Sequence, residues 1–163
     1  MKLLDNSSIS LFILEIPEYD FLMELFKVNE SLNITNYVKN EFKETGCLER
    51  LDKYLDNNMI NLKCIDYDPS LKNRYPYLGN GELSILQWGL NINEKVSYYC
   101  VLDDLHARKV AKKLNLSLSG SIGLILLLKD KNNYSSEKIE EIIESIKNCN
   151  FNISENILNK LRE

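Results

Sequence analysis

Five carboxylates stand where chemistry can use them. Asp103 and Asp104 are adjacent at the end of an apolar, β-prone run, Tyr98 to Leu102, and a helix-like run with basic residues follows at once. Asp5 ends the short run Lys2-Leu3-Leu4, Glu41 lies on the helix-like stretch from Tyr37 to about Glu44, and Glu82 opens another helix after Asn80-Gly81. Adjacent carboxylates repel, and burying either one without a partner is costly. A metal ion, a basic neighbour or solvent must balance them. Each acid also has a structural role open to it. Asp5 can cap a helix through the Asp5-Asn6-Ser7-Ser8 cluster, and Glu41 can be a solvated helix residue like Lys39 and Lys43. Glu82 in a first helical turn gains about 0.3–1 kcal/mol from the dipole. Asp104 can pair with Arg108 one turn on, an exposed pair worth roughly 0.3–0.5 kcal/mol.

The elements that must position these acids alternate between strand and helix. Asn33-Ile34-Thr35, Ile60 to Ile65, Tyr98 to Leu102 and Leu116 to Leu118 read as strands after the first at Lys2 to Leu4. Between them, Ile9 to Ile16 reads as a buried helix broken by Pro17, and Tyr19 to Phe26 as a second. Thr35 or Asn36 is placed to cap the helix from Tyr37, and Gly46 ends it. Leu48, Leu51 and Leu55 suit an amphipathic helix, and Asn80 to about Leu90, Ala107 to Leu114 and Ile122 to Lys129 suit three more. Asp66 to Gly81 is polar and rich in Pro and Gly, and reads as the longest loop. Two last helices follow, one started by Ser135 with Ile139, Ile142, Ile143 and Ile146 inward, the other capped by Ser154.

This order implies an α/β fold with a mainly parallel sheet and helices on both faces. Right-handed crossovers bring the loops after the strands to one edge, where Asp5 and the Asp103-Asp104 pair meet. At 163 residues the chain reads as one domain, 1–163, with the helices of about 136–163 packed on it.

Composition narrows the function. A formal net charge of −4 weighs against coating nucleic acid by bulk electrostatics. Cys47, Cys64, Cys100 and Cys149 are far apart and His106 is the single histidine, which disfavours a zinc site. The start does not resemble a signal peptide, and the longest apolar run, Ile122 to Leu128, is too short to span a bilayer. A reduced, cytoplasmic protein without membrane contact is the expectation.

The acids and their flanks resemble the PIN-domain nucleases, the group that contains the VapC-type toxin ribonucleases. The resemblance is carried by Leu4-Asp5-Asn6-Ser7, by Tyr37 to Glu41, by Leu78-Gly79-Asn80-Gly81-Glu82, by Val101 to Arg108, and by Ser119-Gly120-Ser121-Ile122-Gly123. It is nearest a subgroup with a Gly-Glu helix start and an Asp-Asp-x-x-Ala-Arg segment. Thr35-Asn36 stands where the family often has a proline, and Glu82 where it often has aspartate.

The resemblance implies a three-layer α/β/α PIN-like fold and cleavage of RNA phosphodiester bonds with Mg²⁺ or Mn²⁺. Hard divalent ions prefer oxygen, so an all-carboxylate cluster suits them. On this reading Asp5 and Asp104 hold the principal metal, with Glu82 as a ligand or as an orienter of its waters. Asp103 is the other candidate for the inner metal ligand or else stands behind Asp104, and Glu41 holds a second metal or aligns the attacking water. Ser7 bonds a carboxylate or a water, or simply caps the helix. Arg108 and Lys109 are candidates for phosphate contact, with Lys112 and Lys113 on the same helix. His106 reads as a surface residue rather than a general base. Tyr75, Tyr77 and Trp88 are candidates for stacking on bases, although helical spacing suits Trp88 to a core. A homodimer and an inhibiting antitoxin are the partners the resemblance implies beside RNA. Two other readings compete. A PIN-like module that binds RNA or protein without cutting would keep the fold and lose the chemistry. An aspartate-based phosphotransferase fits poorly, because no lysine follows the strand at Leu116 to Leu118.

Overall fold

The computed structural model describes residues 1–93 and 95–163. Its strands are β1 (Lys2–Leu4), β2 (Leu32–Thr35), β3 (Ile60–Lys63), β4 (Tyr99–Val101) and β5 (Leu118–Ser119). All pair in parallel in the order β3-β2-β1-β4-β5. The central strand β1 lies opposite Leu32 on one side and Tyr99 to Val101 on the other. A strand covered on both faces is mostly apolar, and Leu3 and Leu4 are fully buried.

The helices are α1 (Asn6–Ser10), α2 (Phe21–Lys27), α3 (Asn36–Lys43), α4 (Leu48–Asp56), α5 (Pro69–Arg74), α6 (Asn80–Asn91), α7 (Leu105–Lys113), α8 (Ser121–Asn132), α9 (Ser136–Asn148) and α10 (Glu155–Arg162). They cover both faces of the sheet, giving three α/β/α layers. Helix α6 packs on β2 and β4 with α3 beside it, α2 lies on β2 and against α8, and α10 packs on α8 and α9. Helix α1 continues into a wider π-helical turn, Leu11–Glu15, and Pro17 opens a short 3₁₀ turn before α2. Among the described residues no helix is long and apolar enough to cross a membrane.

Two local expectations change, and the choice of cap for α3 falls to Thr35. The stretch from Asp66 to Gly81 contains α5, started by the Asp68 side chain accepting from the Ser70 amide at 2.8 Å and by Pro69 in the first turn. Thr35 caps α3 through the Val38 amide at 3.2 Å, while the Asn36 side chain bonds the Ile65 amide at 2.9 Å and ties α3 to the segment after β3. Ser154 sits at the N-cap of α10, but it is its backbone carbonyl that accepts there, from the Ile157 and Leu158 amides.

The inner stripe of α9, Ile139, Ile142, Ile143 and Ile146, is buried in the same core as Leu4 and Val101. Ile142 has no exposed surface. Ile142→Ala is expected to cost about 2–5 kcal/mol of unfolding free energy, from lost transfer and an unfilled cavity. Urea denaturation checks this. A cost under about 1 kcal/mol would mean that α9 does not share the core.

Candidate active site

Strand order reverses at β1: β2 lies on one side and β4 on the other. In open parallel sheets the carboxyl ends of the strands leave a crevice at such a point. Asp5 stands there. Its amide bonds the Val101 carbonyl at 3.2 Å, which continues the β1–β4 pairing to the edge of the sheet. Asp5 is 4% exposed. Oδ2 accepts from Ser7 Oγ at 2.9 Å, and Oδ1 is buried without a partner. Although Asp5 occupies the N-cap of α1, its side chain makes no capping bond. Burial first, then Glu82 and Glu41, push its pKa up to about 7, against the lowering effects of the Asn6 amide and the Ser7 hydroxyl.

Glu41 reaches the same region from α3. Its Oε1 accepts from the Gly81 amide at 2.7 Å, which docks α3 on the first turn of α6. A Cβ at residue 81 would collide with the Glu41 carboxylate, so close backbone approach requires glycine there. Glu82, one residue on, turns back to accept from the Gly79 amide at 2.9 Å. The N-cap residue is glycine, so only the glutamate half of a reciprocal capping arrangement exists. Thr35 Oγ1 lies 2.7 Å from Ser84 Oγ, a buried link between the end of β2 and α6. Burial is the main cause that raises the pKa of both glutamates, against the amides of Gly81 and Gly79. Asp104 and Glu41 raise Glu82 further, while His106 lowers it.

Asp104 caps α7, where Oδ1 accepts from the His106 and Ala107 amides at 2.7 and 2.9 Å. The His106 ring is exposed, with Nδ1 3.8 Å from that oxygen. Asp103 points elsewhere. Its Oδ1 accepts from the Ser121 amide at 2.9 Å, and its Oδ2 lies 2.5 Å from Ser121 Oγ and 3.1 Å from Ser8 Oγ. Asp103 thus ties the segment after β4 to α8, while the charge of Asp104 lies near Glu82. Arg108 does not pair with Asp104. Its Nη1 donates to the carbonyls of Leu102 and Ser119 at 2.6 and 2.8 Å and holds the ends of β4 and β5 together. Lys109 is exposed one residue further along α7.

The structure therefore brings Glu82 and Glu41 within electrostatic reach of Asp5, and Asp104 within reach of Glu82. It places Asp103 and Arg108 in a supporting knot beside them. Supporting residues that sequence reasoning misses are Ser8, Ser84 and Ser121, all fully buried. A signal exists for Ser84, a lone hydroxyl in the apolar run Leu83 to Leu86. Among the described residues no three His, Cys, Asp or Glu side chains close on one metal position. Glu41, Glu82 and Asp104 each have one oxygen turned to backbone amides. The donor set still fits a hard divalent ion. It is all oxygen, Glu82 and Glu41 raise the pKa of Asp5, and Asp5 Oδ1 is buried without a donor.

The Asp5 shift gives a sign for pH dependence. Its ordinary value is 3.8 and its folded value about 7. Between these the folded state binds the extra proton, so stability falls as pH rises through that window and then levels off. Asp5→Asn removes this loss. In chelator at about pH 8 the variant is expected to melt a few °C above the parent protein, and at about pH 4 the gap should close. Thermal melts at both pH values check it. A variant that melts at or below the parent near pH 8 would contradict the assigned burial.

A family model described as a PIN domain matches residues 6–163, beginning one residue after Asp5. No curated protein and no solved structure gives a match. With the match spanning nearly the whole chain, over a parallel five-stranded sheet with acids at its switch point, the chain belongs to the PIN-domain family.

Proposed function

We propose that this PIN domain is an endoribonuclease that hydrolyses RNA phosphodiester bonds at the Asp5–Glu41–Glu82–Asp104 edge with Mg²⁺ or Mn²⁺. PIN domains are generally nucleases, and membership of that family supports hydrolysis of a nucleic acid. The observation that carries the reading is buried Asp5 at the switch point with one oxygen unpartnered, beside the charges of Glu82 and Glu41, with Asp104 beside Glu82 in turn. The same reading takes residues 1–163 as one unit in the cytoplasm.

In this reading Asp5 and Asp104 hold the metal, and Glu82 joins them or orients bound water. When bound, the ion supplies charge neutralisation, a water of lowered pKa and stabilisation of the attacked phosphate. The chain's own groups do the rest. Ser7 fixes Asp5 Oδ2 and leaves Oδ1 without a hydrogen-bond partner. Glu41, held by the Gly81 amide, is placed to orient the attacking water and take up its proton. Asp103 and Arg108 keep the β4 and β5 ends fixed, so that Asp104 stays aligned with Glu82. Lys109 lies exposed on α7 for a phosphate of the strand. A toxin role, with a homodimer and an antitoxin as partners, is the finer form of the proposal. It predicts growth arrest on expression that Asp5→Asn relieves.

One observation favours a second reading, a PIN-like module that binds RNA or protein without cutting: no three described side chains close on one metal position. Cleavage separates the two. Purified protein and Asp5→Asn, prepared identically, are incubated with an RNA panel that includes structured tRNA, with Mg²⁺ or Mn²⁺. The nuclease reading predicts metal-dependent cutting that falls about 100-fold or more in the variant. Equal cutting by both proteins would place the chemistry elsewhere. Cutting by neither would support the silent module.

A further inference from the structure

We propose that Tyr77, with the imidazole of His106 set against it, is a stacking platform for one unpaired nucleobase of the substrate strand. The proposal rests on the nuclease reading and adds a subsite to it.

Three observations converge. The first is position. Tyr77 lies five residues before Glu82, and its neighbour Leu78 is pinned by the Lys72 ammonium on its carbonyl at 2.7 Å and by its own amide on the Tyr75 carbonyl at 3.1 Å. The His106 ring lies 5.7 Å from the Tyr77 ring at 64°, and its Nδ1 is 3.8 Å from Asp104. The pair thus bridges the starts of α6 and α7, beside both Glu82 and Asp104.

The second is exposure without a packing reason. A single exposed aromatic is ordinary, so the contrast with nearby rings matters. Trp88 and Tyr75 are buried in the core, and Tyr67 is half-buried with its hydroxyl donating to Asn80 at 2.8 Å. Tyr75 stands edge-on behind Tyr77, with centroids 6.4 Å apart, and backs it. Tyr77 itself is 61% exposed. Its ring touches those of Tyr75 and His106 and leaves most of the residue open to solvent.

The third is charge. The chain carries −4, and carboxylates gather at this edge, so bulk electrostatics do not retain a polyanion there. Stacking on an aromatic ring needs no positive charge and tolerates any base, because every base offers a π-face. A base inside a duplex has both faces already covered by its neighbours. The platform therefore selects an unpaired nucleotide next to the bond that the acids face.

The test measures binding of a labelled single-stranded RNA by fluorescence anisotropy in Mg²⁺, with Asp5→Asn as a shared background to keep the strand intact. Tyr77→Ala is expected to weaken binding about 5- to 150-fold, the range for loss of one stacked base, and Tyr77→Phe to stay within about 2-fold. An abasic nucleotide moved along the strand distinguishes stacking from a structural effect. At one position it should erase the difference between the proteins with and without Tyr77→Ala. Equal binding by Tyr77→Ala, or a loss that no abasic position erases, overturns the platform. Cutting by the parent protein that is indifferent to Tyr77→Ala overturns the platform and leaves the nuclease reading standing. A parent protein that neither binds nor cuts RNA removes both.

Discussion

Asp5 is buried at the end of the central strand, with one carboxylate oxygen unpaired and with Glu82 and Glu41 near enough to add to the burial that pushes its pKa up to about 7. Like charge in a poorly solvated crevice is unfavourable unless something offsets it. The surrounding architecture supplies much of that offset from backbone amides. Gly81 serves Glu41, Gly79 serves Glu82, and the first amides of α7 serve Asp104. Helix N-termini carry partial positive charge, so α6 and α7 both direct their favourable ends at the acids.

Rigidity around this edge comes from a second polar layer. The Asp103 carboxylate gathers Ser121 and Ser8, and Arg108 clasps the carbonyls of Leu102 and Ser119. Gly120 sits between them: a Cβ there would come within 2.9 Å of both Asp103 Oδ1 and Arg108 Nη1. These contacts join α1, β4, β5, α7 and α8. They hold the β4 end still without using Asp104, which stays half-exposed toward Glu82. Asp103 thus serves the scaffold alone, while Asp5 and Glu82 each lie beside further acids.

The strand ends are legible in sequence because each is an apolar run stopped by polar residues, and the parallel order follows from strand–helix alternation. Helix α5 is hidden by the polar, Pro-rich composition of residues 66–81, although Asp68-Pro69 carries a helix-start signal. Side-chain direction is harder. Asp104 and Arg108 have the spacing of an ion pair, yet the guanidinium bonds the carbonyls at the ends of β4 and β5 instead. That contact depends on β5 joining the sheet beside β4, which local spacing does not encode. Ser8 and Ser121 are likewise buried partners drawn together across 113 positions of sequence. Gly81 is the reverse case. The Gly-Glu pair is visible in sequence, and its physical reason is the approach of Glu41.

If these carboxylates share one divalent ion, calorimetric titration of Mn²⁺ into the metal-free protein, beside Asp5→Asn and Glu82→Gln, will show it most directly. A shared site predicts saturable binding in the parent protein, lost in Asp5→Asn and weakened about 10-fold or more in Glu82→Gln. Mn²⁺ binding of equal affinity in all three proteins, or no binding by the parent, would contradict it.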